Sequence, residues 1–114
     1  MASRPLTSGF SAFDLTTDWK TIYTPADDAL RAGIDALVFN NYTSANVSFS
    51  VRIVQEGIAT TLNELITDKD IRALSNDLAP SIIGQAVILG GTLQAKASVN
   101  NSISATGTVT EIIS

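Results

Sequence analysis

From residue 47 to residue 53 apolar and polar side chains alternate without a fault. Val47, Phe49, Val51 and Ile53 stand against Ser48, Ser50 and Arg52. A period of two predicts a strand with one face on a core and the other in water. The same period opens after Phe10, where Phe13 and Leu15 alternate with Asp14 and Thr16. It returns in 93–99 and, more loosely, in 102–113, where Ile103, Ala105 and Val109 share a face. The run Trp19-Lys-Thr-Ile-Tyr-Thr24 is rich in aromatic and β-branched residues. Pro25 ends it, and Ala26-Asp27-Asp28 predicts a turn.

Other stretches are less decided. Residues 29–41 fit a short helix or a strand, and Gly33 costs a helix about 1 kcal/mol relative to Ala. We read 31–39 as a strand buried on both faces. Ile34, Ala36 and Val38 lie on one side, Leu37 and Phe39 on the other, and Asn40-Asn41 closes it. The turn-forming residues 40–46 then join this strand to 47–53 as a hairpin. Gln55-Glu-Gly57 predicts the next turn. Residues 60–62 suit a strand and 63–66 a coil, while 68–74 fit a helical turn or a strand equally. Pro80 marks a break. The apolar run in 81–92, bounded by Pro80 and Gly90-Gly91, predicts a buried strand followed by a tight turn. Asn100-Asn101 marks another turn. Seven to eight short strands with turn signals every 8–14 residues or about that predict an all-β fold. The expected architecture is an antiparallel β-sandwich, jelly-roll-like, forming a single domain over 11–114. Residues 1–10 form a polar arm, either flexible or held on a neighbouring subunit.

Composition narrows the chemistry. The chain has 114 residues, with no cysteine and no histidine. That excludes disulfides, thiolate nucleophiles, Cys-ligated metals, a Ser-His-Asp triad and a His-based zinc site within this chain. Charged residues make 16%, against about 25% in a typical soluble domain. Small polar residues take their place: 13 Thr, 12 Ser and 7 Asn. A weakly charged, hydroxyl-rich surface repels other proteins poorly and suits one that sits against protein. The net charge is −4 and the seven Lys and Arg are scattered, which excludes a nucleic-acid footprint. The longest nearly apolar stretch, 82–89, is interrupted by Gln85. It falls far short of the roughly 20 residues that span a bilayer. Residues 1–10 lack the apolar core of a secretory signal, so synthesis in the cytoplasm and no membrane partner are expected.

The candidate chemistry is sparse. Eleven acidic residues permit paired-carboxylate hydrolysis by inventory, but a small sandwich leaves little room for a cleft. Asp68 and Asp70 near Asp77 offer hard oxygen ligands, yet the further ligands, Gly and closing Glu of a calcium loop are missing. Gly90-Gly91 matches no phosphate-binding motif. Trp19, Tyr23 and Tyr42 are candidates for a sugar-stacking platform, with Trp19 also suited to a core. Three Asn-x-Ser/Thr sequons start at Asn41, Asn46 and Asn100, but they carry no meaning without a secretory signal. No catalytic, metal or cofactor-binding site is predicted, and none of the motifs points to an enzyme.

Ordered segments carry a resemblance. They are Trp19-Lys-Thr-Ile-Tyr-Thr-Pro25, Ile34-Asp-Ala-Leu-Val-Phe-Asn-Asn-Tyr-Thr43 and Val47-Ser-Phe-Ser-Val51. After them come Ile88-Leu-Gly-Gly-Thr-Leu-Gln-Ala-Lys-Ala-Ser98 and Val109-Thr-Glu-Ile112. The pattern, over about residues 19–113, resembles the small β-sandwich virion proteins of tailed bacteriophages. It departs from them at 68–77, where an acidic stretch replaces a short loop. The resemblance implies a structural virion protein that assembles as a homo-oligomer, often a trimer. A capsid decoration (cement) protein gripping the phage major capsid protein is the first expectation. A neck, tail or fibre component in contact with other virion proteins is the second, and a carbohydrate-binding or adhesin module the third. In the first case Arg4, Pro5, Leu6 and Phe10 of the arm are the expected contact residues.

Overall fold

The computed structural model describes the backbone of residues 2–25, 29–55, 64–77, 82–88 and 90–113, and the side chains of 14–25, 30–55, 64–77, 82–88 and 90–112. Among the described residues there are nine strands and no helix: β1 (Ala2–Asp14), β2 (Lys20–Tyr23), β3 (Ala29–Asn41), β4 (Val47–Val54), β5 (Glu64–Ile71), β6 (Asn76–Asp77), β7 (Ala86–Ile88), β8 (Thr92–Ala97) and β9 (Ile103–Ile113). They form two antiparallel sheets. One runs β1-β9-β3-β6, with β7 also paired to β3; the other runs β2-β8-β4-β5. The β-sandwich expected from the alternating pattern is therefore present. Within the sheets β1 pairs with β9, β2 with β8, β3 with β6 and β4 with β5, all antiparallel.

The core lies between the sheets. Ile34, Leu37 and Phe39 of β3 and Ile103, Ala105 and Val109 of β9 face Phe49, Val51 and Ile53 of β4 and Leu93, Ala95 and Ala97 of β8. Phe39 and Phe49 stack across the interface with ring centroids 4.4 Å apart. The shortest dimension of the molecule is 20 Å. Two sheets about 10 Å apart with side chains on both outer faces account for it.

Bulges decide which residues reach that core. In β3, Ile34 pairs with Val109 and Ala36 with Thr108, so Asp35 is an extra residue. A bulge flips the alternation after it. Ile34 and Leu37 therefore point inward together, while Asp35 and Ala36 are exposed. This corrects the expectation of a strand buried on both faces with Ile34 and Ala36 on one side. Thr110 Oγ1 donates to Asp35 Oδ2 at 2.6 Å and pins the bulge. In β2 an extra residue against β8 turns both Ile22 and Tyr23 inward. In β5 the extra residue falls at Thr67-Asp68, and Asp68 takes a left-handed φ of 45°.

Two further expectations are corrected. Residues 42–46 do not close a hairpin, because β3 and β4 belong to different sheets. The cause is Asn41, which is fully buried. Its Nδ2 donates to the carbonyls of Ala45, Ile71 and Arg72, and its Oδ1 accepts from the Thr43 amide and hydroxyl. The chain is thereby turned across the sandwich. Nor is 81–92 one buried strand. Residues 82–84 turn, Gly84 has φ +89°, and only the three residues of β7 pair with β3. Ile82 and Val87 are buried, while Ile83 and Ile88 are exposed. The glycine pair does turn the chain: the Gly91 amide donates to Ile88 O at 2.8 Å. The turn expected at 26–28, the strand at 60–62 and the break at Pro80 lie outside the described residues.

Candidate functional site

Three surfaces and one buried contact carry the chemistry of this chain. The buried contact joins the two sheets. Tyr23 of β2 and Glu111 of β9 are both buried, and Tyr23 Oη donates to Glu111 Oε2 at 2.7 Å. The two residues stand in the first and last segments of the resemblance, 88 positions apart. Burying a carboxylate is costly unless it is hydrogen-bonded. This bond partners one carboxylate oxygen of Glu111 and ties the two sheets together. Tyr23 is thereby removed from the sugar-stacking platform, because its ring lies inside the sandwich.

The first surface is one end of the sandwich, where connections 42–46, 72–75 and 98–102 meet. The Tyr42 amide donates to Ser102 O, the Leu74 amide to Thr43 O and the Ala73 amide to Asn46 Oδ1. The β1–β2 connection joins them, since the Thr17 amide donates to Asn100 Oδ1 at 2.8 Å. Each of the three connections exposes a large apolar side chain: Tyr42 at 42%, Leu74 at 73% and Val99 at 52%. Leu74 does so with φ +57°, a backbone conformation that bulky L-residues seldom adopt. Tyr42 Oη donates to Asp14 Oδ1 at 3.0 Å. Desolvation, then the hydrogen bond to Asp14 and the charge of that carboxylate, raise the phenol above its ordinary value.

The second surface is the outer face of the five-stranded sheet. Gly33 and Val38 of β3 and Ser104, Thr108 and Thr110 of β9 are half-buried there, and Ala36 and Thr106 are exposed. A shallow depression of about 350 Å³ runs between Gly33, Gly84, Ala86, Thr110 and Ile112. A second, of about 220 Å³, lies against Ala36, Val38 and the exposed Ile83. Small side chains dominate the described part of this face, with the exposed Arg31 at the first depression and the exposed Asp35 at the second.

The third surface is the outer face of the four-stranded sheet, around the chain's single tryptophan. The Arg52 guanidinium sits 4.2 Å from the centroid of the Trp19 ring, and Lys96 Nζ sits 4.9 Å from it. The register of β4 against β8 explains the pairing: Arg52 lies opposite Gln94, and Ser50 opposite Lys96. Beside Lys96 is a polar pocket of about 160 Å³ that includes Thr17, Ser50, Asp68 and Ser98. Ser50 is buried, and its hydroxyl accepts from the Asp68 amide at 2.9 Å.

The residues singled out in the sequence scatter over these features. Arg4, Pro5, Leu6 and Phe10 lie in β1, opposite Glu111, Thr110, Val109 and Gly107 of β9. Their side chains are outside the described set. Asp68 and Asp70 lie in β5, and Asp77 in β6 forms an ion pair with Lys69 at 2.8 Å. Among the described residues no three acidic side chains converge to hold a metal ion. Of the three sequon asparagines, Asn41 is buried, while Asn46 and Asn100 are exposed and accept backbone hydrogen bonds. Neither Arg52 nor Lys96 is marked by any motif, because only the sheet register brings them to Trp19. Comparison of the chain with protein-family models, with curated proteins and with solved structures finds no match in any of the three.

Proposed function

We propose that this chain is a non-enzymatic structural protein of a tailed-phage virion, acting as a decoration (cement) protein on the capsid shell. The observation that carries the proposal is the loop end, where three connections that meet each expose one large apolar side chain, Tyr42, Leu74 and Val99. Exposed apolar side chains gathered at one end of a domain suit a protein-binding surface. Burying them on a shell contributes about 25 cal/mol per Å² at each copy. A protein that binds only the assembled shell stabilises it by mass action. The outer face of the five-stranded sheet, with small side chains between Arg31 and Asp35, supplies a second contact area. The strand order also supports the proposal. We read it, with the short β7 set aside, as a variant of the eight-stranded jelly roll, an architecture that recurs in viral capsid and lectin domains.

Copy number in purified particles tests the proposal. A decoration protein approaches the copy number of the major capsid protein. A few copies per particle would assign the chain to the neck, tail or a fibre instead, and absence from particles would end the virion reading. Light scattering of the free protein adds the oligomeric state. Three 12.0 kDa chains give a mass of about 36 kDa.

A further inference from the structure

We infer that the outer face of the four-stranded sheet binds an acidic saccharide, a sugar carrying a carboxylate, at the Trp19–Arg52–Lys96 cluster. The inference stands apart from the virion reading and rests on different residues.

Two cations are held over one indole, the Arg52 carbon at 4.2 Å and the Lys96 nitrogen at 4.9 Å from its centroid. Among the described residues no carboxylate forms an ion pair with either of them, although Glu64 of β5 lies opposite Arg52 in the strand pairing. The indole face attracts each cation but does not neutralise it. A bound anion would be attracted to both. Arg52 is also prepared for a planar partner. Its Nε donates to Gln94 Oε1 at 2.8 Å, which orients the guanidinium. Its two terminal nitrogens have no partner among the described residues, and that fork matches a carboxylate in a bidentate pair.

The neighbouring pocket names the rest of the ligand. Its 160 Å³ is room for about five waters, the scale of a sugar ring and not of a folded peptide segment. Thr17 and Ser98 bring hydroxyls, Asp68 an acceptor and Lys96 a donor, while the Ser50 hydroxyl is already taken up by Asp68 and Phe49 and Ala97 form an apolar floor. Mixed donors and acceptors suit a polyhydroxylated ring. The Asp68 carboxylate at the same place opposes a compact polyanion such as phosphate. A single carboxylate placed toward Arg52 and Lys96, with hydroxyls toward Asp68 and Ser98, meets complementary charge at both ends. Trp19 itself is covered by the two cations and lies beside the pocket, where it senses their environment.

Trp19 is the only tryptophan, so its fluorescence reports the site without a label. The full chain is titrated with a galacturonic-acid oligosaccharide, with a neutral glucose oligosaccharide of equal length, and with acetate at matched carboxylate concentration. The expected result is a saturable change in Trp19 emission with the acidic oligosaccharide alone. Affinity should fall at least about tenfold in Arg52→Gln and in Lys96→Gln. It should also fall at about 0.5 M salt, where exposed charges are screened. Thermal midpoints establish that both variants fold. If either does not, the salt dependence of the unaltered protein carries the electrostatic test. No saturable change with the acidic oligosaccharide overturns the inference. An equal response to the neutral sugar removes the anion, and an equal response to acetate removes the saccharide; each overturns it. Binding that salt does not weaken overturns it as well.

Discussion

Asn41 has no exposed surface, yet it ends a strand and fills no gap between apolar side chains. Its amide group serves three carbonyls and accepts from Thr43, so the 42–46 and 72–75 connections are built on one side chain. Asn41→Ala leaves those groups partly buried without partners and should cost about 3 kcal/mol in urea unfolding. Asn41→Asp should cost more than Ala, because it aims an oxygen at the same three carbonyls. An equal or smaller loss for Asp would mean that the carbonyls are hydrated in its absence. Tyr42, the next residue, gives a pH effect of known sign. Its proton is held more tightly in the folded chain than in the unfolded one, through desolvation first and then Asp14. The stability this contributes is complete below the ordinary tyrosine value of 10.0 and is lost as pH rises through the raised, folded value. Unfolding stability above that ordinary value should therefore fall more steeply in the unaltered protein than in Tyr42→Phe. The side chain is exposed, so the difference should shrink with added salt.

At the scale of elements, bulges and side-chain ties decide what periodicity cannot. β4 and β8 were legible because each keeps strict alternation against an equally regular neighbour, with no shift between them. The faces of β3 were not, because the bulge at Asp35 is recorded in the pairing and not in the residue types. β5 escaped a decision for a related reason. It is an edge strand, with Thr67, Asp68, Lys69 and Asp70 all exposed, so it shows no period at all. Charges and a bulge on such an edge discourage pairing with another chain. The site was less legible still. Tyr23 meets Glu111, and Arg52 and Lys96 meet Trp19, only through the closure of the sheets. The turn at Gly90-Gly91 was legible, but the reason for its second glycine was not. A Cβ on Gly91 would lie 2.7 Å from Val54 O and 2.5 Å from Gln55 Oε1. Gln55 is needed there, since it accepts from the Ile88 amide and donates to Ala86 O, fastening β7 to the end of β4. Gly91→Ala should destabilise by about 1–3 kcal/mol, as overpacking does. The thermal midpoint should drop accordingly, and an unchanged midpoint would mean that this tie is easily displaced.

For the whole molecule, the question is whether the loop end is a binding surface or an accident of exposed turns, and Leu74 separates the two. Among the described residues it is the most exposed large apolar side chain, and it holds a φ of +57°. A left-handed conformation costs an L-residue about 1–2 kcal/mol. Glycine escapes that cost but loses about 0.5–1 kcal/mol in chain entropy. Leu74→Gly should therefore leave folding stability unchanged or raise it by up to about 1 kcal/mol. A chain that keeps a strained leucine in water gains nothing from it in isolation. If the loop end docks on a virion surface or on another copy of the chain, the same variant should bind less. The two readouts then move in opposite directions: the unfolding midpoint holds or rises, while occupancy on purified particles, or self-association by light scattering, falls. A purely structural leucine would lower the midpoint and leave association untouched. A rise in stability with unchanged occupancy and unchanged self-association would remove this end of the sandwich from the binding mechanism and leave the outer face of the five-stranded sheet to carry it.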